Sequence, residues 1–319
     1  MVLAVCLWAP SSLPSAPAEV TPSWEYGSRQ FFTHPGHLAL ARALASGHVA
    51  VAAGFGGDTA IGVDGGYYWG NAPGFGALYA LGIRAVGETI ATRAVPLAAV
   101  LLLYGALVWA GVDGALAALL LLTAPLSFYT VLPNETLLSA ATVLVAAEAE
   151  HPVVQGVASS AILLTNFRLA PLTLLACASR RSLLAALPLW ALVAVWNTIC
   201  FGAPWAWGVA HIPHFPGQDL GTLFGVRSVG DGLVELLVAS APASTNPMGE
   251  ARYGLLAVAP WLALAPLGWL AVRRFRLWGA LGLSWVTVLL FATLRSPTAR
   301  YLAPLVPLWL TPLLRRRVA

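Results

Sequence analysis

Hydrophobic and polar positions along this chain alternate in long blocks. Apolar runs occupy 94–111, 114–132, 134–149, 153–178, 183–201, 253–272, 277–294 and 301–314. A helix needs about 20 apolar residues to cross a bilayer, so each run predicts a span. A shorter run, 74–86, predicts a tilted or partly interfacial span. Two stretches break the pattern, 19–73 and 202–252, which are rich in Gly, Pro, Trp and His. They are expected to be two large outer loops. In the first, the residues from His37 to Gly47 place apolar side chains at helical spacing before a terminal Gly, which predicts a short amphipathic helix on the membrane surface. The expected fold is therefore all-α: a polytopic transmembrane bundle of about nine or ten spans in a single domain over 1–319, with short interfacial helices in its loops. The N-terminal run 1–9 is apolar but short, with Pro10, Pro14 and Pro17 after it. A first span truncated at its start is the preferred reading; a cleaved signal peptide ending near Ser15-Ala16-Pro17-Ala18 is the other, although it lacks a basic start.

Composition sharpens this picture. The chain has 319 residues, 59% of them hydrophobic and 9% charged, against about 25% charged in soluble domains, and a mean hydropathy of +0.78. An ordinary soluble fold is excluded. The formal charge of +4 comes from 17 arginines and no lysine. Ten of the 17, namely Arg84, Arg93, Arg180, Arg181, Arg273, Arg274, Arg276, Arg315, Arg316 and Arg317, close apolar runs on what the positive-inside rule makes the cytoplasmic side. Their placement is topological, which argues against a nucleic-acid partner and predicts a multi-pass protein of the cell membrane, in a bacterium the plasma membrane, with a cytoplasmic C-terminus. Cys6, Cys177 and Cys200 read as core thiols. Asn134-Glu135-Thr136 fits a glycosylation acceptor, but falls at the cytoplasmic end of a predicted span and is set aside. All six histidines and nearly all carboxylates fall on the outer side, with Arg168 alone among the arginines inside a span.

The first outer loop holds Glu25, His34, His37, Asp58 and Asp64, and the run Asp64-Gly65-Gly66-Tyr67-Tyr68-Trp69-Gly70-Asn71-Ala72-Pro73-Gly74. Taken singly, these residues are what solvates a loop and marks an interface. A glycine-rich turn with an acid, two tyrosines and a Pro-Gly entering a helix is a heavier commitment in so apolar a chain. The run resembles the loop before the second transmembrane helix of bacterial membrane glycosyltransferases of the GT-C class, relatives of the dolichyl-phosphate-mannose mannosyltransferases and lipid A aminoarabinose transferases. Further stretches follow in the family's order. Leu163-Leu164-Thr165-Asn166-Phe167-Arg168-Leu169-Ala170-Pro171 is similar to its mid-chain helix. Trp196-Asn197 with Phe201-Gly202-Ala203-Pro204 is similar to the opening of its second outer loop. Arg300-Tyr301-Leu302-Ala303-Pro304-Leu305-Val306-Pro307 resembles the start of a late helix.

The resemblance implies transfer of a sugar from a polyprenyl-phosphate carrier to a glycan, lipid or protein acceptor at the outer face, with inversion at the anomeric carbon. Such a reaction needs a base for the acceptor hydroxyl and cations for the departing phosphate. Glu25, Asp58 and Asp64 stand equal as candidates for the base, with His34 in an alternative alignment. Asp58 and Asp64 could instead orient the acceptor or bind a divalent cation such as magnesium or manganese. Arg168, Arg300 and Arg252 are the cations suited to phosphate, which guanidinium binds bidentately. Tyr67, Tyr68, Asn71 and Tyr301 complete the substrate-binding candidates. Asn71 is a departure, since the family often carries a lysine there. In the second outer loop, His211-Ile212-Pro213-His214 with Asp219 reads more readily as an interfacial loop than as a metal site. Trp205 and Trp207 serve equally as a cover for a sugar face or as anchors. Two rival functions remain: a transporter or flippase for a lipid-linked glycan, and a noncatalytic membrane subunit of the same fold.

Overall fold

The computed structural model describes residues 35–51, 59–123, 125–130, 135–206, 208–211, 228–238, 254–294 and 299–315. These are 78% helical and 3% strand. Among the described residues, three helices are long and apolar enough to cross a membrane: Glu88–Trp109, Arg180–Phe201 and Phe275–Ala292. The other apolar runs fold as shorter or broken helices. Proline accounts for much of the breakage, because it removes a donor and clashes with the preceding turn. The run 253–272, expected as one helix, is divided into Leu255–Val258, Pro260–Leu264 and Ala265–Trp269, with Pro260 and Pro266 at the joints. The last run begins as a 3₁₀ turn, Ala299–Leu305, containing Pro304 before it becomes an α-helix.

In chain order the elements that position the site begin with α1 (Pro35–Ala45), then the strands β1 (Thr59–Ile61) and β2 (Tyr67–Trp69). Helices α2 (Gly74–Val86), α3 (Glu88–Trp109), α4 (Gly114–Leu122), α5 (Leu126–Thr130), α6 (Thr136–Glu148) and α7 (Pro152–Thr165) follow. A 3₁₀ segment, Phe167–Ala178, leads to α8 (Arg180–Phe201), and later come α9 (Val229–Leu237), α10 (Leu255–Val258), α11 (Ala265–Trp269), α12 (Phe275–Ala292) and α13 (Val306–Leu314). The core centres on α6. It is buried along nearly its whole surface, only Thr142 and Val145 being half-buried, with Leu137, Ala140, Val143 and Leu144 at 1% exposure or less.

The predicted helix in the first outer loop forms as α1, but its apolar face is not left for lipid. Leu40 and Ala41 are fully buried, and α1 runs alongside α2, where Gly76 lets Leu40 approach the backbone. The two helices point the same way: His37 lies beside Trp69 and Phe75, while the far ends are tied by Arg42 to Glu88 and by Arg84 to the carbonyls of Leu44 and Ala45.

Contacts define two ends of the bundle. At one, Arg315 donates to the carbonyl of Ala110 at 2.8 Å and pairs with Glu148, Arg274 faces Glu148 and Glu150, and Arg276 reaches the carbonyls of Ala149 and Glu150. At the other, His37 meets Glu135, the β-hairpin lies on the end of α8, and Arg168 meets Tyr301. This corrects the orientation expected from the arginines. The alternation of runs sets Ala110, Glu148 and Glu150 opposite Arg274 and Arg315, and Glu135 opposite His37; in each case the structure brings them together.

Two misreadings explain it. The run 74–86 is not a crossing: α2 leaves the hairpin end beside Leu164 and is held along its length by α1, and α3, about 33 Å long at 1.5 Å per residue, carries the chain to the arginine end. The run 153–178, read as one span, is folded back at Asn166. Helices α7 and α8 both start at the arginine end, Gly156 against Ser182, and both finish at the hairpin end, where Leu164, Val193 and Ala72 share a cluster. The 3₁₀ segment between them must therefore return. The two errors cancel, so from Arg180 onward the arginines Arg180, Arg181, Arg273, Arg274, Arg276 and Arg315 share one end, as the sequence predicts.

Candidate functional site

Strands β1 and β2 pair antiparallel, with Ala60 opposite Tyr68. Their turn is held by Gly65 at a φ of 77° and by Asp64. One carboxylate oxygen of Asp64 accepts from the Gly66 N–H at 2.9 Å, and the other accepts from the Tyr68 hydroxyl at 2.7 Å. The alternation of a strand sends Tyr67 outward and Tyr68 inward. Tyr68 is buried against Phe201, with ring centroids 6.2 Å apart. Behind the turn the Val63 N–H reaches the Cys200 carbonyl at 3.3 Å, and a side chain at Gly62 would collide with both the Tyr68 ring and that carbonyl.

The Tyr68 hydroxyl and the Gly66 amide hold the Asp64 carboxyl below its ordinary range. The Asp64 hydrogen bond, with burial, pushes Tyr68 up to about 12. A carboxylate so satisfied is a weak proton acceptor. Asp64 fits an organising role in the turn better than that of a base.

The chain then passes Asn71, half-buried, and Ala72, which packs on Phe167 and Val193. At Gly74 the backbone touches the Leu164 carbonyl so closely that no Cβ would fit. Across this contact Asn166 ends α7 and caps the 3₁₀ segment, its side-chain oxygen accepting from the Arg168 N–H at 3.1 Å. Arg168 is thus at the break, half-buried at the hairpin end, and not inside a span as expected. Its guanidinium carbon sits 4.6 Å from the centroid of the Tyr301 ring, a cation–π geometry. Among the described residues no carboxylate pairs with it. The backbone of Arg300 adjoins Tyr301 in the same 3₁₀ turn.

The segment expected as the second outer loop opens at the same place. Gly202 ends α8 with a φ of 81°, and Asn197 donates from Nδ2 to the Pro204 carbonyl at 3.2 Å, closing the turn. Trp205 is 83% exposed. His211 stacks on Phe201 at 5.1 Å, and a Cβ at Gly208 would press on Gly70.

Of the sequence candidates, Asp64, Tyr67, Tyr68, Asn71, Arg168 and Tyr301 all lie at this end. The structure joins Asp64 to Tyr68 and Arg168 to Tyr301. Glu25, Asp58, Arg252, His34, Trp207, His214 and Asp219 lie outside the described residues, as does the side chain of Arg300 and, among the thiols, Cys6. Cys200 is buried as expected, whereas Cys177 is exposed on the 3₁₀ segment. Among the described residues no three His, Cys, Asp or Glu side chains converge as a metal site would require.

Sequence reasoning missed one pair. His37 Nε2 lies 2.8 Å from a carboxylate oxygen of Glu135, the two side chains 2% and 11% exposed, with the Trp69 and Phe75 rings about the imidazole. The pair joins α1 to the start of α6 across 98 positions. The only available signal was an acid at a helix start, where the dipole favours it; nothing local pointed to a histidine. Comparisons with protein-family models, with curated proteins and with solved structures find no match for this chain.

Proposed function

We propose that the chain is a multi-pass membrane glycosyltransferase that moves a sugar from a polyprenyl-phosphate carrier to an acceptor hydroxyl, with inversion, at the hairpin end of its bundle. The observation that carries this reading is the convergence of four sequence-distant segments, 64–74, 163–171, 196–204 and 300–307. The hairpin rests on Cys200 and Phe201, Ala72 on Phe167, Gly74 on Leu164, and Arg168 on Tyr301. These are the segments whose motifs resemble the GT-C enzymes, and a shared site is a physical reason for them to meet. In this reading the shorter helices complete a polytopic bundle, and the arginine end is cytoplasmic.

Arg168 is the phosphate ligand. Its face rests on Tyr301, which leaves the edge of the guanidinium, where the N–H donors lie, to bind an oxyanion as charge develops on the leaving phosphate. With Asp64 committed to the turn, the base falls to Glu25 or Asp58. The test is release of polyprenyl phosphate from a panel of polyprenyl-phosphate sugars by the purified protein with an acceptor extract. Arg168→Gln should abolish release, and one of Glu25→Gln and Asp58→Asn should do so too. Donor left intact across the panel, while labelled lipid crosses between leaflets, would replace this reading with the transport one.

A further inference from the structure

The arginine end carries cations that the fold does not use. Arg315, Arg274 and Arg276 are engaged with Glu148, Glu150 and backbone carbonyls. Arg180, Arg181 and Arg273 are exposed, and among the described residues they have no ion pair. Arg180 and Arg181 open α8, where the helix dipole disfavours positive charge. Local helix stability is therefore not what they serve. They lie close to the others: Ser182 touches Gly156, six residues along the chain from Glu150, whose carbonyl and that of Ala149 Arg276 reaches.

Beside them is an ordered turn with apolar side chains on the outside. The Ala271 N–H bonds to the Gly268 carbonyl, the Val272 N–H to that of Trp269, and the Trp278 indole N–H to that of Val272 at 3.1 Å. Leu270 is 82% exposed and Phe275 89%. A pinned turn that presents apolar tips next to free guanidinium groups matches the boundary between acyl chains and phosphates.

We infer that this surface, Arg180, Arg181 and Arg273 with Leu270 and Phe275, binds the headgroups of anionic phospholipids in the leaflet it faces. The apolar tips enter the acyl region and the guanidinium groups take the phosphates. The occupant is a lipid because the apolar contacts have no counterpart in a free anion. The inference is independent of the transferase reading.

The test is native mass spectrometry of the full chain in detergent, titrated separately with phosphatidylglycerol and with phosphatidylcholine of the same acyl chains. Phosphatidylglycerol adducts should predominate, and R180Q/R181Q/R273Q should weaken them by about fivefold per arginine, the fold-change equivalent of about 1 kcal/mol each. R180K/R181K/R273K should keep the preference for the anionic lipid, and Arg93→Gln, which removes an exposed charge near the start of α3, should leave the adducts unchanged. Equal retention of the two lipids overturns the proposal. So does a loss in Arg93→Gln as large as in the triple variant, or displacement of the adducts by inorganic phosphate, which would make the ligand a free anion.

Discussion

An arginine at the centre of a span costs about 2.5–3.5 kcal/mol on insertion scales, and that cost is what singles out Arg168 in the sequence. The fold removes the cost by ending α7 at Asn166, so that the side chain emerges at the end of the bundle over Tyr301. Its interest then rests on what it lacks, a described carboxylate partner. On the proposed transferase reading, with the aromatic face positioning Arg168, Tyr301→Phe should keep donor affinity within about twofold, because both rings offer a π face; Tyr301→Ala should weaken donor binding severalfold with the fold intact. Equilibrium binding of a radiolabelled donor would check this, and equal losses in both variants would show that the hydroxyl, not the face, matters.

Asp64 and Tyr68 make the hairpin sensitive to pH from both sides. The Asp64 carboxyl is depressed in the folded protein, so its contribution is present above the unfolded value of about 3.9 and is lost as pH falls through the folded one. Tyr68 is raised, so its contribution is complete below about 10 and is lost as pH rises towards about 12. Backbone protection of 59–70, measured by hydrogen exchange and corrected for intrinsic rate, should fall in acid and in strong base. Asp64→Asn should abolish the acid step. At the buried pair, Glu135→Gln keeps a hydrogen-bonding partner for His37 and should change thermal stability little, whereas His37→Ala removes one partner of the Glu135 carboxylate and the ring packed against Trp69 and Phe75, and should cost about 1–3 kcal/mol.

At the scale of elements, the sequence was legible where a run was long, unbroken and bounded by charge. Helices α3, α8 and α12 are of this kind; the predicted limits 183–201 and 277–294 differ from those observed by three residues or fewer, while α3 starts six residues before the predicted 94. It was not legible where the chain reverses with a single charge inside an apolar run. The turn at Asn166 carries Arg168, but one arginine within a long apolar stretch reads as an intramembrane residue rather than as a new end, and the capping oxygen and Pro171 were the other local signs of a break. The β-hairpin was read as a glycine-rich turn because strands of three residues are too short to show a period. The candidate site was half legible: its motifs identified the segments, but only the contacts between Gly74 and Leu164 and between Arg168 and Tyr301 show that they meet.

The reversal depends on glycine. A Cβ at Gly156 would overlap the Ser182 carbonyl between α7 and α8, so Gly156→Ala should force the helices apart and destabilise by about 1–3 kcal/mol. At Gly105 in α3 a Cβ meets nothing within 4 Å. Gly105→Ala should be neutral or stabilising by up to about 1 kcal/mol. Thermal unfolding of both variants in one detergent tests the contrast, and equal behaviour would deny that α7 and α8 pack backbone to backbone.

At the scale of the whole molecule, the arginine pattern and the contacts make opposite statements about the middle of the chain. The pattern sets Glu150 and Arg274 on opposite sides of the membrane; the contact of Arg274 with Glu150 at 3.3 Å sets them together. Topology rules count charges at the ends of runs, and the contacts depart from that count twice, at α2, which is held alongside α1, and at the run 153–178, which is folded back on itself at Asn166. Labelling decides between them. In a background without Cys6, Cys177 and Cys200, single cysteines at Glu150, at Arg273 and at Ser46 would be treated in sealed vesicles with a membrane-impermeant thiol reagent. All three positions are exposed, Ser46 just beyond α1. Glu150→Cys and Arg273→Cys should react from one side and Ser46→Cys from the other. Reaction of Glu150→Cys together with Ser46→Cys would restore the arginine count and overturn the arrangement of α2 and α3 described here. The expected result fixes every candidate residue of the hairpin end on the side away from Arg273, because Asp64, Arg168 and Tyr301 are tied to that end by direct contacts.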